Sequence, residues 1–186
     1  MAQPEGYRKT ARLMKMAENF ELPLISFIDT PGAYPGIESE ERGMSEAIAK
    51  NLSLLSNLKT PVIVIITGEG GSGGALAIGI GDHVCMLEHS IYAVASPEAC
   101  ASIVWRDGSK AKDAAEAMKV DASNLQNLGL VDEVIKEPLG GAHRDIRGVS
   151  NSISQVIEKK LLTFDEVDIS DLLKKRYEKI MSYGSI

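Results

Sequence analysis

The chain has 186 residues, of which 44% are hydrophobic and 25% are charged, and its formal net charge at pH 7 is −6. This composition is typical of a soluble globular protein, and a chain of this length buries about two-thirds of its unfolded surface. The negative charge disfavours non-specific nucleic-acid binding, because phosphate backbones select basic surfaces. We therefore expect a single domain over residues 1–186, with no specific nucleic-acid partner.

The cysteine content and the lengths of the apolar runs indicate the cellular compartment of the protein. Cys85 and Cys100 are the only cysteines, and neither lies in a CxxC pair or at ligand spacing from a histidine. Isolated thiols in apolar surroundings are typical of reduced core residues, so no zinc site is expected from this chain alone. The first fifteen residues lack the apolar core of a signal peptide, and no apolar run is long enough to cross a bilayer. These features predict a cytoplasmic protein without a metal site or a membrane anchor.

Predicted helices and strands alternate along the chain. The periodicity predicts helices over residues 5–20, 39–57, 75–80, 97–105, 110–118, 124–128, 144–161 and 170–181. It predicts strands over residues 22–28, 62–66, 84–87, 91–95 and 130–135. The run 62–66 is β-branched throughout, which indicates a strand buried on both faces. The alternation implies βαβ units and a largely parallel sheet.

Two segments that follow predicted strands form the candidate site. They are Ile28-Asp29-Thr30-Pro31-Gly32-Ala33-Tyr34-Pro35-Gly36 and Gly68-Glu69-Gly70-Gly71-Ser72-Gly73-Gly74-Ala75. Open α/β sheets bind ligands at the carboxyl ends of their strands, where both segments are predicted to lie. Glycines allow the backbone to approach a ligand closely, and the start of a helix offers unpaired N–H groups to an anion or a developing oxyanion.

Short motifs leave two nucleotide-binding interpretations to weigh. Gly68, Gly70 and Gly73 fit the dinucleotide fingerprint, but that motif normally lies on the first strand of its domain, and a strand–helix unit precedes it here. Residues 28–32 imitate the magnesium-side motif of a GTPase, yet no phosphate-binding loop precedes them. Both interpretations are therefore disfavoured.

A hydrolase interpretation depends on a serine in the second segment. Ser72 occupies the centre of a Gly-x-Ser-x-Gly pattern, which is typical of a nucleophile elbow. The available downstream partners are Asp132 and His143, and the histidine is expected in an exposed loop. His83 and His89 flank a predicted strand and are expected at surface or capping positions. A Ser72 hydrolase thus remains a minor alternative.

Two long stretches resemble one family. Residues 4–43, which begin PEGYRKTARLMK, and residues 60–105, which contain GEGGSGGALAIG, are similar to the alpha subunit of bacterial acetyl-CoA carboxylase carboxyltransferase. The later segment LGLVDEVI is similar to one found across the crotonase superfamily. The resemblance implies an α/β crotonase-like (ClpP/crotonase) fold built from ββα-type units, with C-terminal helices. Family members carry a substantial region ahead of the PEGYR segment, so it also implies that this chain corresponds to the C-terminal portion of the full length.

The activity implied by the resemblance is carboxyl transfer from carboxybiotin to acetyl-CoA, which forms malonyl-CoA for fatty acid synthesis. The biotin carrier protein would deliver carboxybiotin, so no cofactor is expected to remain bound to this chain. A beta subunit would complete an α2β2 heterotetramer and carry the zinc and most of the acyl-CoA site. Biotin carboxylase is the further partner.

The family pattern also implies the site residues. Gly73, Gly74 and Ala75 would donate backbone N–H groups to the biotin oxyanion. The carboxybiotin side would be lined by Thr30, Pro31, Gly32, Ala33, Tyr34, Gly36, Gly70 and Gly71. Tyr34 is the candidate to pack on the biotin ring, while Gly70 and Gly71 shape the turn. Because the departing biotin nitrogen can take the methyl proton, no side-chain base is required.

Two further functions stay open beside this one. A stand-alone crotonase relative, such as an acyl-CoA hydratase or decarboxylase, would place glutamates beside its oxyanion glycines, and Glu69 is one such residue without a clear partner. A truncated, inactive interaction module would keep docking surfaces without a complete site.

Overall fold

The computed structural model describes residues 1–184 and contains a five-stranded parallel sheet. Its strands are β1 (Leu24–Thr30), β2 (Val62–Gly71), β3 (His83–Leu87), β4 (Ile91–Ala93) and β5 (Glu133–Ile135). The order is β1-β2-β3-β5, and β4 pairs with the last residues of β2, beyond the segment that pairs with β3. The pairings among these strands are all parallel, which confirms the prediction from the alternating pattern.

Nine α-helices lie among the described residues. They are α1 (Pro4–Asn19), α2 (Ile37–Glu41), α3 (Met44–Asn57), α4 (Ser72–Leu76), α5 (Pro97–Trp105), α6 (Ala111–Met118), α7 (Ala122–Asn127), α8 (Ile146–Phe164) and α9 (Ile169–Ser182). The single helix predicted over residues 39–57 is wrong, because Gly43 adopts φ 77°, a left-handed conformation, and divides it into α2 and α3. Within residues 1–184, no helix combines the length and the apolar character that a membrane crossing needs.

The glycine-rich segment differs most from its prediction. The strand predicted over residues 62–66 continues to Gly71, and the helix predicted to start at Ala75 starts at Ser72. The extension exists because Glu69–Gly71 pair with Ile91–Ala93 of β4. That partner is distant in sequence, so a local pattern could not reveal it.

The core lies on both faces of the sheet. Residues 62–66 of β2 are fully buried, which confirms the prediction of a strand covered on both sides. Alternate side chains point to opposite faces of a strand. One face packs against α1, α3 and α7 through a cluster that includes Met14, Ile28, Leu55, Val62, Val64, Ile66, Val84, Met86 and Leu125. The other face packs against α8 through Ile63, Ile65, Cys85, Leu87, Ile135 and Val149.

One buried arginine attaches α9 to the base of the sheet. The guanidinium of Arg176 donates to both carboxylate oxygens of Asp82, from Nε at 2.8 Å and from Nη2 at 2.6 Å. It also donates to the carbonyl oxygens of Leu55 at 2.7 Å, Leu58 at 2.8 Å and Thr60 at 2.9 Å. These five bonds use every N–H of the guanidinium and satisfy carbonyls left open at the end of α3.

The prediction that His83 lies at the surface is wrong, whereas His89 is exposed as predicted. His83 belongs to β3, in which all five residues are buried, and it is only 7% exposed. Burial lowers the pKa of His83, and its Nε2 lies 3.1 Å from Oε2 of Glu133 on β5. Cys85, one strand position further on that face, is buried as predicted, and burial raises the pKa of its thiol to about 12.

Candidate functional site

The junction between β2 and α4 is a sharp turn at the carboxyl end of the sheet. Ser72, the first residue of α4, has φ 50°, which is the left-handed conformation. Such a conformation costs a non-glycine residue about 1–3 kcal/mol and persists only where the surrounding packing determines it. Here that packing comes from the loop that follows β1.

The glycine-rich segment and the loop after β1 touch backbone to backbone. A Cβ atom placed on Gly71 would lie 2.1 Å from the carbonyl oxygen of Pro31. A Cβ atom placed on Gly74 would lie 2.3 Å from the carbonyl carbon of Gly32. Neither position has room for a side chain, so the close approach of the two segments requires glycine at both.

The loop itself is held by a threonine and covered by a tyrosine. The Thr30 hydroxyl donates to the carbonyl oxygen of Gly32 at 2.9 Å and accepts the N–H of the same residue at 3.3 Å. The ring of Tyr34 lies over Gly36, where an added Cβ would be 2.4 Å from its Cε1. Tyr34 is 37% exposed, so one part of its ring remains accessible.

An apolar pocket of about 260 Å³ lies beside the start of α4, and we call it the Gly73 pocket. Its lining consists of Ser72, Gly73, Leu76, Tyr92, Ala93, Val94, Leu125 and Leu130. A Cβ atom on Gly73 would meet only Cδ1 of Ile48, at 3.5 Å, so this glycine is not required by crowding. Burial raises the pKa of Tyr92, so its phenol is protonated at neutral pH.

The three predicted N–H donors do not share one pocket. Gly73 lines the Gly73 pocket together with Ser72. Gly74 lines a separate cavity of about 350 Å³ with Thr30, and we call this cavity the α1 pocket because α1 forms one wall. Ala75 is fully buried in the core. The structure therefore brings Gly73 to one side of the turn and Gly74 to the other.

Several residues of the Gly73 pocket were missed by sequence reasoning. They are Leu76 of α4, Tyr92 of β4, Val94 in the loop after β4, Leu125 of α7 and Leu130 in the segment before β5. Each reads as an ordinary core residue in its own element. The parallel pairing of β4 with β2 brings Tyr92 and Val94 beside Gly73, while Leu76 lies one turn along α4 and the packing of α7 and its following segment adds Leu125 and Leu130.

The hydrolase interpretation has no support from the geometry. Within residues 1–184, no histidine and no carboxylate lines the pocket around Ser72. Asp132, the expected acid, accepts the N–H of Val84 at 2.7 Å and forms an ion pair with Lys179. His143 is exposed, as the sequence predicted, in a 3₁₀ turn ahead of α8.

The dinucleotide interpretation is also contradicted, because two of its glycines lie inside β2 rather than in a phosphate-binding loop. A Cβ atom on Gly68 would lie 2.5 Å from Oδ1 of Asp29, and one on Gly70 would lie 2.8 Å from Cδ2 of Tyr92. These glycines therefore serve packing against neighbouring side chains.

Similarity to known proteins shows which family the chain belongs to. The family model described as acetyl co-enzyme A carboxylase carboxyltransferase-like matches residues 1–184. The alpha subunit of acetyl-coenzyme A carboxylase carboxyl transferase from Alcanivorax borkumensis is 56% identical over 186 residues, or 100% of this chain and 58% of that protein. The same subunit from Vibrio cholerae is 58% identical over 184 residues, or 99% of this chain and 58% of the relative.

The chain belongs to this carboxyltransferase family. It spans 58% of the length of these curated family members. Solved structures with low identity confirm the predicted crotonase-like α/β fold. The match to transcarboxylase 12S has a TM-score of 0.66 at 20% identity, and it covers 98% of this chain and 31% of the transcarboxylase chain. The match to the beta subunit of geranyl-CoA carboxylase from P. aeruginosa has a TM-score of 0.67 at 17% identity. It covers 94% of this chain and 33% of that subunit.

Proposed function

We propose that this chain is the biotin-side component of a carboxyltransferase that moves a carboxyl group from carboxybiotin to acetyl-CoA and forms malonyl-CoA. The observation that carries the proposal is identity of 56–58% along the whole chain to curated alpha subunits of that enzyme. A beta subunit carrying zinc, the biotin carrier protein and biotin carboxylase are the proposed partners, in an α2β2 assembly in the cytoplasm. Residues 1–186 act in this proposal as one carboxyltransferase domain.

The reaction breaks the bond between the biotin nitrogen and the carboxyl carbon and forms a bond from that carbon to the acetyl methyl carbon. The methyl proton ends on the biotin nitrogen. Negative charge therefore develops on the thioester enolate oxygen and on the ureido oxygen of biotin. Backbone N–H groups held in place before the reaction stabilise such charges, by roughly 3–4 kcal/mol for each donor in comparable sites.

The residues of the turn supply donors of this kind. Gly73 and Gly74 are the second and third residues of α4, where an N–H has no carbonyl one turn earlier in the helix to bind. Gly73 borders the Gly73 pocket, which is the side of the turn proposed to receive biotin. Gly74 borders the α1 pocket on the other side of the turn and Ala75 lies inside the core, so Gly73 is the donor proposed for the ureido oxygen of biotin.

The Gly73 pocket suits the ring system of biotin. Its volume of about 260 Å³ and its side chains, chiefly Leu76, Tyr92 and Leu130, offer apolar contact to a compact bicyclic ring. Because Ser72 and Gly73 form the rim, the ureido group can face the helix start while the ring lies on the leucines. Tyr34 is not part of this lining, so we place its contact with the substrate at the outer edge of the loop.

The test is malonyl-CoA formation from carboxylated biotin carrier protein and acetyl-CoA, with the beta subunit present. Gly73→Ala keeps the N–H and meets only Ile48, so it should retain activity near that of the parent. Gly73→Pro removes the N–H and should lower kcat about 100-fold or more. Absence of product from the parent would refute the carboxyltransferase proposal.

A second readout separates lost donors from damaged folding, since proline also restricts Ser72 before it. In a chain labelled with ¹⁵N-glycine, biotin should shift the amide resonance of Gly73. The Gly148 amide of α8, which donates to the Asp145 side chain and lines neither pocket, serves as the internal control. A shift confined to glycines other than Gly73 would place biotin elsewhere.

A further inference from the structure

A basic groove runs between α1 and α3, outside the site described above. Arg8, Arg12 and Lys15 of α1 and Lys50 of α3 line this groove, which has a volume of about 390 Å³. The remaining lining residues are Ala11, Met16 and Asn19. Within residues 1–184, no carboxylate belongs to the lining, and all four cationic residues are exposed.

Most of this positive charge is not balanced by the protein itself. Arg8 lies 3.8 Å from Glu46 and donates to the carbonyl oxygen of Arg42. Arg12, Lys15 and Lys50 make no ion pair or side-chain hydrogen bond within the described part of the chain. Residues three and four apart on a helix are neighbours, so the like charges on α1 repel one another. A concentration of unbalanced cations in a chain of net charge −6 marks a surface for an anionic partner.

The groove is close to the candidate site. Gly6, Tyr7 and Thr10 of α1 line the α1 pocket, in which Gly74 also lies. The groove begins on the adjoining face of the same helix at Arg8. With a rise of 1.5 Å per residue, Arg12 lies about 8 Å along α1 from Tyr7. A partner seated in the groove would hold a tethered group next to the turn.

We propose that this groove docks an acidic surface of the protein that carries biotin. The inference rests on the proposed function, which requires such a carrier to bring its tethered biotin to the turn. The groove adjoins the Gly74 side of the turn, so the arm that bears biotin would pass around the turn to reach Gly73. A carboxylate-rich protein segment suits a short groove that mixes cations with the apolar side chains of Ala11 and Met16. A nucleic acid needs a longer basic track and would be repelled by the negative charge of the rest of the chain.

The test reverses charge in the groove without touching the turn. The variant is Arg12→Glu with Lys15→Glu, and the matched control is Lys174→Glu with Lys175→Glu, two exposed residues of α9. Both pairs change the net charge by the same amount. With the beta subunit present, KM is measured for the carboxylated carrier protein and, separately, for free biotin in the reverse reaction from malonyl-CoA.

The groove variant should raise KM for the carrier by about ten-fold or more near 0.1 M salt, and the increase should shrink as salt screens the charges. Its kinetics with free biotin and both measurements on the control should match the parent. An unchanged KM for the carrier would overturn the proposal, as would an equal loss with free biotin, which would point to a damaged site.

Binding measured without turnover keeps the two proposals separate. Fluorescence anisotropy of labelled biotin carrier protein should show weaker binding to the groove variant than to the parent and the control. If the parent binds the carrier through the groove but transfers no carboxyl group from malonyl-CoA even to free biotin, the proposed function fails and the docking surface stands. If instead a 20-nucleotide RNA binds the parent and is lost in the variant while carrier binding persists, the docking proposal is refuted.

Discussion

Replacing Arg176 by methionine should destabilise the protein more than any other single change on α9. Methionine keeps much of the side-chain volume but removes all five hydrogen bonds to Asp82, Leu55, Leu58 and Thr60. The Asp82 side chain is almost fully buried, so its carboxylate would be left without its cationic partner.

The magnitude follows from that loss. Removing one partner of a buried ion pair typically costs 3–5 kcal/mol, because the remaining charge stays buried and uncompensated. Domains of ordinary stability unfold with about 5–15 kcal/mol, so Arg176→Met should remove roughly a fifth or more of the free energy of unfolding. The midpoint of thermal unfolding should fall by roughly 6–20 °C, at about 2–4 °C for each kcal/mol in a chain of this size.

Urea unfolding followed by circular dichroism at pH 7 measures this loss directly. Lys175→Met on the exposed face of α9 is the matched control and should change the free energy of unfolding by less than about 0.5 kcal/mol. Arg176→Lys keeps the charge but offers at most three donors, so it should fall between the parent and the methionine variant. A loss below about 1 kcal/mol in Arg176→Met would refute the idea that this network holds α9 to the sheet.

Three further results are expected. Gly74→Ala should lower the thermal unfolding midpoint far more than Gly73→Ala, because only the first places a Cβ 2.3 Å from a backbone atom; equal midpoints would contradict the close approach. Stability should fall as pH drops from 7 to 5, since the folded state lowers the pKa of His83 and the unfolded state binds the proton more readily; His83→Gln should flatten this dependence in denaturation series. The buried thiol of Cys85, with a pKa of about 12, should resist a thiol reagent in the native protein while half-buried Cys100 reacts, and rapid labelling of both would show that the β3 face opens easily.

The local patterns predicted most of the elements because those elements carry their own signals. The β-branched run 62–66 has no stable alternative to a buried strand. The helix predicted over residues 97–105 begins at Pro97, where the Ser96 side chain caps it by accepting the N–H of Ala99. The turn at Gly71 and Ser72 also falls within the glycine-rich segment that the sequence singled out, because clustered glycines after a strand have few structural uses.

What the sequence could not predict depends on contacts between distant segments. The last residues of β2 carry no strand signal and become a strand only by pairing with β4. The lining of the Gly73 pocket comes from separate elements, so Tyr92 and Leu130 carry no local mark of a site. His83 looked like a surface residue because its burial is imposed by β5, which lies 50 residues away at Glu133.

The Arg176 network also sets an order in which parts of the fold can form while the chain is being synthesised. Asp82 and Arg176 are separated by 94 residues, so a ribosome makes the sheet and the end of α3 long before it makes the residue that neutralises them. During that interval a carboxylate and three carbonyl groups at the base of the sheet must stay hydrated. Closure of that base is therefore a late step, and nascent chains paused before α9 should be open to proteases at this end of the sheet.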